Sequence, residues 1–259
     1  MRSAIVLLIG LFGICACALS AEEVITLNTR ENVTQSYLLA YDKDADYKSV
    51  AILFPGGNGY IALRPGQAVS NNNFLVRTRA MFVDGGVAVA VIDGPSDVNR
   101  MGDEFRMSAK HAADIGFVVK DMRRRFPQAK VFLVGTSRGT VSAAYTGLAL
   151  GSEIDGVVLT SSIFNASRGG PGVSGVDFSA FKVPLLFVHH RDDACNVCPY
   201  ASAARLADRF PLISVNGGLP PQSGPCDPLA AHGYFGKEAD TVAAIAQWLT
   251  GKPYSTEIK

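Results

Sequence analysis

A short segment in the middle of the chain has the pattern of a turn that carries a nucleophile. Residues 135–139 (GTSRG) follow the apolar run 131–134 and precede a helix-forming run, 140–150. The turn between such a strand and helix is so sharp that only very small residues fit at its two glycine positions. It pushes the serine hydroxyl out above the sheet. The segment therefore predicts Ser137 as a catalytic nucleophile, with an ordinary glycine-rich turn as the alternative.

A serine hydroxyl is a poor nucleophile at neutral pH, so it needs a base to take its proton and an acidic group to orient that base. Three histidines follow Ser137 in the chain: His189, His190 and His232. His189 and His190 end a predicted strand, whereas His232 lies in a loop just before the last predicted helix. We predict His232 as the general base, with a surface-loop histidine as the alternative.

The orienting acid is expected at the end of a strand that lies between the serine and the base in the chain. Asp192 and Asp193 both follow such a strand. Asp193 is the preferred candidate because it stands deeper in the loop, where the chain has turned away from the strand. Asp192 remains a rival.

Four segments together resemble the α/β-hydrolase superfamily, in particular its exported bacterial, serine esterase-like members. The resemblance covers residues 36–250 and rests on segments 54–59 (FPGGNG), 135–139, 189–193 (HHRDD) and 232–233 (HG). It implies an α/β fold with a mostly parallel sheet of about eight strands and helices on both faces. It also implies a Ser137–Asp193–His232 triad in the chain order of that family, a water-hydrolysed acyl-enzyme, and no cofactor.

The family binds the negative charge that develops on the carbonyl oxygen with two backbone N–H groups. The residue after the nucleophile supplies one of them, which is Arg138 here. The loop after an earlier strand supplies the other, so Gly57 or Asn58 in segment 54–59 is the predicted second donor. A phosphate-binding loop and a plain glycine turn are the alternatives, but the GxxxxGK[ST] pattern of the former is absent.

Other residues near the predicted strand ends are candidates for the pocket wall. Tyr60 and Phe164 would supply apolar surface, and Asp93 and His190 end strands on the same edge of the sheet. The Arg138 side chain would meet an anionic substrate or be neutralised by a nearby carboxylate. The flap, residues 163–182, is rich in Gly, Ser and Pro and is too short for a large helical lid.

Three of the five cysteines lie outside the leader, at Cys195, Cys198 and Cys226. The CxxC pair is too far along the chain for a thioredoxin-like motif, and a zinc site would need two more suitably spaced ligands, so no metal site is predicted. We expect a disulfide from Cys226 to either Cys195 or Cys198, which leaves one free thiol. Either bridge would connect the loop of the acid to the loop of the base.

The N-terminus has the features of an export signal. Arg2 precedes an apolar run, 4–19, and small residues then lead to Ala21 and an acidic pair. We predict a signal peptide over residues 1–21, no membrane span after its removal, and a periplasmic or secreted protein. Cleavage after Ala18 or Ser20, a retained anchor and lipid attachment at Cys17 are the alternatives.

Length and charge limit the remaining possibilities. The 259 residues carry a formal net charge of +1, so no basic face is indicated and nucleic acid is not an expected partner. Residues 22–259 are long enough for one large domain. Strand-like runs alternate with helix-like runs along that domain, which is typical of an α/β fold.

The predicted elements follow from hydrophobic patterns and turn residues. Strands are predicted at 24–27, 36–41, 49–54, 87–92, 131–134, 156–160 and 184–189. Helices are predicted at 73–84, 108–126, 140–150, 201–210 and 237–249. The arginine run at the end of the second helix is expected to be a solvated helix end.

The leading functional interpretation is a serine carboxylesterase that acts on a small or medium acyl substrate. A peptidase or amidase of the same fold is the second, and a non-catalytic binding protein on a hydrolase scaffold is the third. In each case the expected partner is a small molecule, an ester or an amide for the enzymes. The sequence contains no feature that indicates an oligomeric state.

Overall fold

One sheet of nine strands forms the centre of the computed structural model, which describes residues 21–259. The predicted signal peptide, except Ala21, lies outside the described residues, as do Cys15 and Cys17. The strands are β1 (Ala21–Arg30), β2 (Val33–Tyr41), β3 (Ser49–Phe54), β4 (Ala88–Ile92), β5 (Lys130–Thr136), β6 (Gly156–Thr160), β7 (Leu185–His190), β8 (Leu212–Val215) and β9 (Glu257–Ile258).

The strand order is β1-β2-β4-β3-β5-β6-β7-β8-β9. β2 runs antiparallel to both of its neighbours, and every pair from β4 to β9 is parallel. The mostly parallel α/β fold predicted from the sequence is therefore confirmed. β8 and β9 were not predicted, because four and two residues are too few to show a periodic pattern.

The central strands are almost entirely apolar because they are covered on both sides. Every residue of β3, β4 and β6 is buried, and β5 is buried except for Lys130 at its start. The carboxyl ends of these parallel strands meet at one edge of the sheet. Loops that follow β3, β5, β6 and β7 therefore converge there, which is where the chemistry-bearing residues were predicted.

Seven α-helices connect the strands within residues 21–259. They are α1 (Phe74–Arg77), α2 (Arg79–Asp84), α3 (Asp103–Arg106), α4 (Ala109–Arg125), α5 (Gly139–Leu150), α6 (Tyr200–Ala204) and α7 (Glu238–Leu249). Among residues 21–259, none of the helices has the length and apolar composition that crossing a membrane requires.

Three predicted helices match α4, α5 and α7 closely, and the other two are wrong in extent. The predicted helix 73–84 is interrupted at Thr78, whose hydroxyl donates to the Phe74 carbonyl at 2.7 Å and whose backbone leaves the helical region. The predicted helix 201–210 ends at Ala204 and continues as turns. α3 was not predicted, because four residues span hardly more than one helical turn.

Ser108 begins α4 as predicted: its hydroxyl accepts a hydrogen bond from the His111 N–H at 3.2 Å. At the other end of α4, Arg124 and Arg125 form ion pairs with Asp121. The Arg124 side chain is 70% exposed, as expected for a solvated helix end. The Arg125 side chain is only 25% exposed and also contacts Glu23, so it does not fit that expectation.

His111 is a fully buried histidine, and neither of its ring nitrogens has a hydrogen-bond partner among residues 21–259. It packs between the rings of Phe54 and Phe105. Burial, helped by the positive charge of Arg106, lowers the pKa of His111 from 6.5 to about 3. The ring is therefore neutral in the folded protein at neutral and mildly acidic pH.

We expect His111→Leu to make stability less sensitive to acid. Between about pH 6.5 and pH 3 the unfolded chain binds a proton at His111 and the folded chain does not, so stability falls as pH falls. One such group contributes a slope of up to about 1.4 kcal/mol per pH unit. Urea unfolding at pH 7, 6 and 5 measures the free energy of unfolding. As the pH decreases, this free energy should fall less in the variant than in the wild type. Parallel curves for the two proteins would contradict the prediction.

Candidate active site

Ser137 lies on the turn between β5 and α5, in a left-handed backbone conformation with φ of 52°. The two flanking glycines make this turn possible. A Cβ on Gly139 would lie 2.0 Å from the Phe54 carbonyl oxygen, and one on Gly135 would lie 2.4 Å from the Gly139 carbonyl oxygen. Both distances are far below van der Waals contact, so no other residue fits at either position. The structure therefore has the sharp strand-to-helix turn that segment 135–139 predicts, with Ser137 at its apex.

His232 and Asp193 form a buried hydrogen-bonded pair. His232 Nδ1 donates to Asp193 Oδ2 at 2.9 Å, and the two side chains are 5% and 0% exposed. The other oxygen of Asp193 accepts the Cys195 N–H at 2.9 Å. Since Nδ1 carries the proton, the remaining ring nitrogen is left as an acceptor, which is the tautomer a general base needs.

That remaining nitrogen, His232 Nε2, is buried and has no partner among the described residues. His232 and Ser137 both line one cavity of about 240 Å³. The rival acid, Asp192, is exposed, and its backbone N–H donates to His190 Nδ1. The structure thus brings Ser137, His232 and Asp193 together and places Asp192 outside this arrangement.

The loop after β3 faces Ser137. A Cβ on Gly56 would be 3.0 Å from the Ser137 Cβ, so this loop lies directly against the turn. The backbone N–H groups of Gly57, Asn58 and Arg138 have no acceptor among residues 21–259, and Gly57 and Asn58 line the cavity. Unused N–H donors at a cavity beside a serine are what an oxyanion site requires.

Asn58 is held in place from both sides. Its side-chain oxygen accepts the Tyr60 N–H at 3.1 Å, and its carbonyl accepts the Met101 N–H at 3.1 Å. Tyr60, predicted as a pocket wall, lines the cavity. These contacts set the direction of the backbone N–H groups in the loop before any substrate arrives.

Asp93, a second pocket candidate, has a supporting position instead. Its carboxylate accepts backbone N–H groups from Ile61 at 2.9 Å, Leu63 at 2.8 Å and Gly94 at 2.9 Å. Two of these three hydrogen bonds go to the segment after Tyr60. Asp93 therefore braces the loop that follows β3, and it is not among the residues that line the cavity.

Two further candidates also lie away from the cavity of Ser137. Phe164 stacks on Phe187 and packs against His189. The Nε2 atom of His190 lies 2.9 Å from the Gly217 carbonyl, and His190 lines a separate cavity. Sequence position alone placed both at the correct edge of the sheet but could not show which way the side chains point.

His189 is excluded as the base by its surroundings. It is fully buried, its Nε2 accepts the Ser162 N–H at 3.0 Å, and burial lowers its pKa to about 3. A ring whose lone pair is already occupied cannot take a proton from Ser137.

Three contacts that the sequence did not reveal position the loop of His232. Ser161 Oγ donates to the His232 carbonyl at 2.8 Å, the Tyr234 hydroxyl donates to the Val188 carbonyl at 2.7 Å, and Arg77 donates to the Gly233 carbonyl at 2.6 Å. These contacts connect the loop to the ends of β6 and β7 and to α1. No sequence signal identifies them, because the partners are 46 to 156 residues apart.

A run of three asparagines, Asn71 to Asn73, also lines the cavity and was missed. Asn73 caps α1 through its side-chain oxygen, which accepts the Leu75 N–H at 3.2 Å. Asn71 in turn accepts the Asn73 N–H at 2.8 Å. Three consecutive amides just before a predicted helix were the available signal.

The disulfide joins Cys195 and Cys226, and Cys198 is a buried free thiol. Burial raises the pKa of that thiol, so it stays protonated at neutral pH. The sulfurs of Cys195 and Cys198 and a ring nitrogen of His232 lie within 4.8 Å of one another. While the disulfide is intact, Cys195 offers no thiolate, so this group lacks the donor set of a zinc site.

We expect reduction of the disulfide to lower both stability and activity. It closes a loop with a sequence separation of 31 residues, which corresponds to about 3–4 kcal/mol in the chain-entropy model. It also connects the loop of Asp193 to the segment before His232. Thermal unfolding and ester hydrolysis with and without reductant measure both effects. The C195A/C226A variant should start at the lowered values and be insensitive to reductant.

No protein-family model matches this sequence, and no curated protein sequence is significantly similar to it. Solved structures do resemble it. An α/β serine hydrolase homologue from Coxiella burnetii aligns with a TM-score of 0.60 at 11% identity, over 88% of this chain and 97% of that one.

Two further structures agree. A cold-adapted esterase from an Arctic intertidal metagenomic library aligns with a TM-score of 0.58 at 16% identity, over 89% of this chain and 94% of that one. Est1E from Butyrivibrio proteoclasticus, solved with ferulic acid bound, aligns with a TM-score of 0.58 at 13% identity, over 88% of this chain and 100% of that one. At such identities the likeness concerns the backbone arrangement, and this chain has the α/β-hydrolase fold.

Proposed function

We propose that this protein is a serine hydrolase, and specifically a carboxylesterase that acts on small or medium acyl substrates. The proposal is carried by one observation: His232 and Ser137 line the same cavity, and the buried His232–Asp193 pair leaves His232 Nε2 without a hydrogen-bond partner among residues 21–259. A histidine so oriented can accept the serine proton, and the adjacent carboxylate stabilises the imidazolium that results.

The reaction follows from the positions of these groups. Ser137 Oγ attacks the substrate carbonyl carbon while His232 Nε2 takes its proton. The oxygen that becomes negative is bound by the N–H of Arg138 and by that of Gly57 or Asn58. His232 then gives the proton to the leaving alcohol, and an acyl group remains on Ser137. Water, activated by His232 in the same way, hydrolyses this acyl-enzyme and restores the serine.

The size of the cavity supports a small substrate. At about 240 Å³ it falls below the ~300 Å³ at which pockets for drug-sized ligands begin. The structural neighbours include proteins named as esterases, one of them solved with ferulic acid. Both observations favour an ester of modest size over a long acyl chain or an extended peptide.

Export to the periplasm or the medium is part of the proposal. It is supported by the leader pattern of residues 1–21 and by the Cys195–Cys226 disulfide, since structural disulfides persist in oxidising compartments.

Labelling with a fluorophosphonate probe tests the serine mechanism. The wild type should be modified on the peptide that contains Ser137, and Ser137→Ala should not react. A parallel panel of 4-nitrophenyl esters and peptide 4-nitroanilides tests the substrate class. Hydrolysis of the short esters and not of the anilides is the expected result. If the probe labels Ser137 and the protein hydrolyses only the anilides, a peptidase is supported. If the folded protein is neither labelled nor active on any substrate of the panel, a binding role is supported.

A further inference from the structure

A third cavity, of about 740 Å³, lies beside the turn that carries Ser137 and is lined by three arginines, Arg100, Arg138 and Arg168. We call it the arginine cavity. Gly102, Asn196, Val197 and the flap residues 166–169 complete its wall, and no acidic residue among residues 21–259 lines it. Three arginines thus line one opening in a chain whose formal net charge is only +1.

Each part of this wall is continuous with a part of the candidate active site. Arg138 directly follows Ser137, so their Cα atoms are about 3.8 Å apart. Asn196 belongs to the loop that begins with Asp193. Arg100 precedes Met101, whose N–H donates to the Asn58 carbonyl at 3.1 Å. The arginine cavity therefore lies at the same edge of the sheet as Ser137 and close to it.

The wall has a fixed structure. Arg138 pairs with Asp103 at 2.6 Å, and the second oxygen of Asp103 accepts the Gly172 N–H at 2.9 Å. The flap packs tightly on this ion pair: a Cβ on Gly169 would lie 2.0 Å from Arg138 Nη1, and one on Gly170 would lie 2.5 Å from the Asp103 Cβ. Glycine at both positions lets the flap reach the guanidinium.

The charges around this ion pair do not balance. Asp103 is a single carboxylate, and a second arginine, Arg106, is buried behind it. Arg106 donates to Met101 O, Ser142 Oγ and Pro55 O, and to no carboxylate in the described part of the chain. Burial and the nearby Arg138 lower the pKa of Arg106 to about 9, which still leaves it charged at neutral pH.

Arg100 and Arg168 add further positive charge at the opening. Both residues are exposed, and within the part of the chain that the structure describes neither forms an ion pair. The other acid of α3, Glu104, does not line the cavity. An anion that enters the cavity would therefore contact two guanidinium groups that form no ion pair. Behind them, Arg138 and Arg106 are balanced only by the single carboxylate of Asp103, so the net charge there is also positive.

We propose that the arginine cavity binds a carboxylate group of the substrate while the ester bond of the same molecule is positioned at Ser137. The preferred substrates are then esters that carry a free carboxylate on the acyl or the alcohol part. The planar fork of a guanidinium matches a carboxylate with two parallel hydrogen bonds, which supports this class of anion. The inference rests on the proposed esterase function and names its substrate class.

Matched pairs of esters test the proposal. The 4-nitrophenyl monoester of adipic acid is compared with 4-nitrophenyl hexanoate, which has the same chain length without the charge. For a carboxylate on the alcohol part, 3-acetoxybenzoate is compared with phenyl acetate. The quantity measured is the ratio of kcat/KM, charged over neutral, in each pair.

For the wild type we expect kcat/KM to be at least about tenfold higher for the charged ester than for the neutral one in one of the two pairs. One charge-assisted hydrogen bond can supply a difference of this size. The R100Q/R168Q variant should bring that ratio close to one, and 0.5 M NaCl should reduce it. Arg205→Gln, an exposed arginine at the end of α6, is the matched control and should leave the ratio unchanged.

The outcomes separate the two proposals. Hydrolysis of the neutral esters with ratios near one in both pairs overturns the arginine cavity as a carboxylate site and leaves the esterase function standing. A ratio above tenfold that survives in R100Q/R168Q also overturns it. If no ester is hydrolysed and the fluorophosphonate does not label Ser137, the proposed function fails and this inference fails with it.

Discussion

Asp193→Asn is expected to lower kcat for ester hydrolysis by about 10⁴-fold with little change in stability. An amide in this position can donate to His232 Nδ1, which favours the tautomer with its proton on Nε2. That nitrogen then no longer accepts the Ser137 proton. The amide also lacks the charge that stabilises the imidazolium. Steady-state kinetics and thermal unfolding of the purified variant measure the two effects.

Asp192→Asn is the matched control for this substitution. The residue is adjacent in sequence and of the same type, but it is exposed and its side chain has no hydrogen bond to His232 in the structure. We expect its kcat to stay within about twofold of the wild type, since surface substitutions away from the site change little. If Asp192→Asn lost activity and Asp193→Asn kept it, Asp192 would be the orienting acid.

Gly139→Ala is expected to destabilise the protein by about 3 kcal/mol or more, and to abolish activity in whatever fraction still folds. The added Cβ would lie 2.0 Å from the Phe54 carbonyl oxygen, an atom of the backbone in the central strand β3. Neither backbone can move without separating α5 from the sheet, so the cost is expected to exceed that of ordinary overpacking. Urea unfolding measures the change in free energy.

Gly116→Ala makes the same chemical change in a place where there is room. Gly116 lies in the middle of α4, and its Cβ would lie 3.6 Å from Leu150 Cδ2, an ordinary contact. Alanine has a higher helix propensity than glycine. We therefore expect the stability of this variant to be unchanged or to rise by up to about 1 kcal/mol. Equal losses in the two variants would contradict the steric explanation.

The central strands and the long helices were predictable because they produce strong local patterns. β3 is an uninterrupted buried run, and α4 has apolar residues at helical spacing, a serine cap and a terminal arginine run. The elements that were missed are short. β8, β9 and α3 contain two to four residues each and owe their existence to packing against neighbours.

The side chains of the pocket show a different limit of sequence reasoning. Asp93, Phe164 and His190 lie near strand ends, yet one braces a loop, one packs on a phenylalanine and one faces a separate cavity. Position along a strand predicts the edge of the sheet at which a residue lies. It does not predict the rotamer or the neighbours that come from distant segments.

Local chemistry in the chain was enough to identify the turn at Ser137, because two glycines around a serine between a strand and a helix permit a backbone that other residues forbid. The sequence also indicated candidates for the groups around this serine, but long-range packing decided between the alternatives it left open. The choice of Asp193 over Asp192, of Cys195 over Cys198 as the partner of Cys226, and the pairing of Arg138 with Asp103 all depend on contacts between segments far apart in the chain. Such contacts are decided by the whole core, since burial selects one arrangement of loops among many that the local sequence allows.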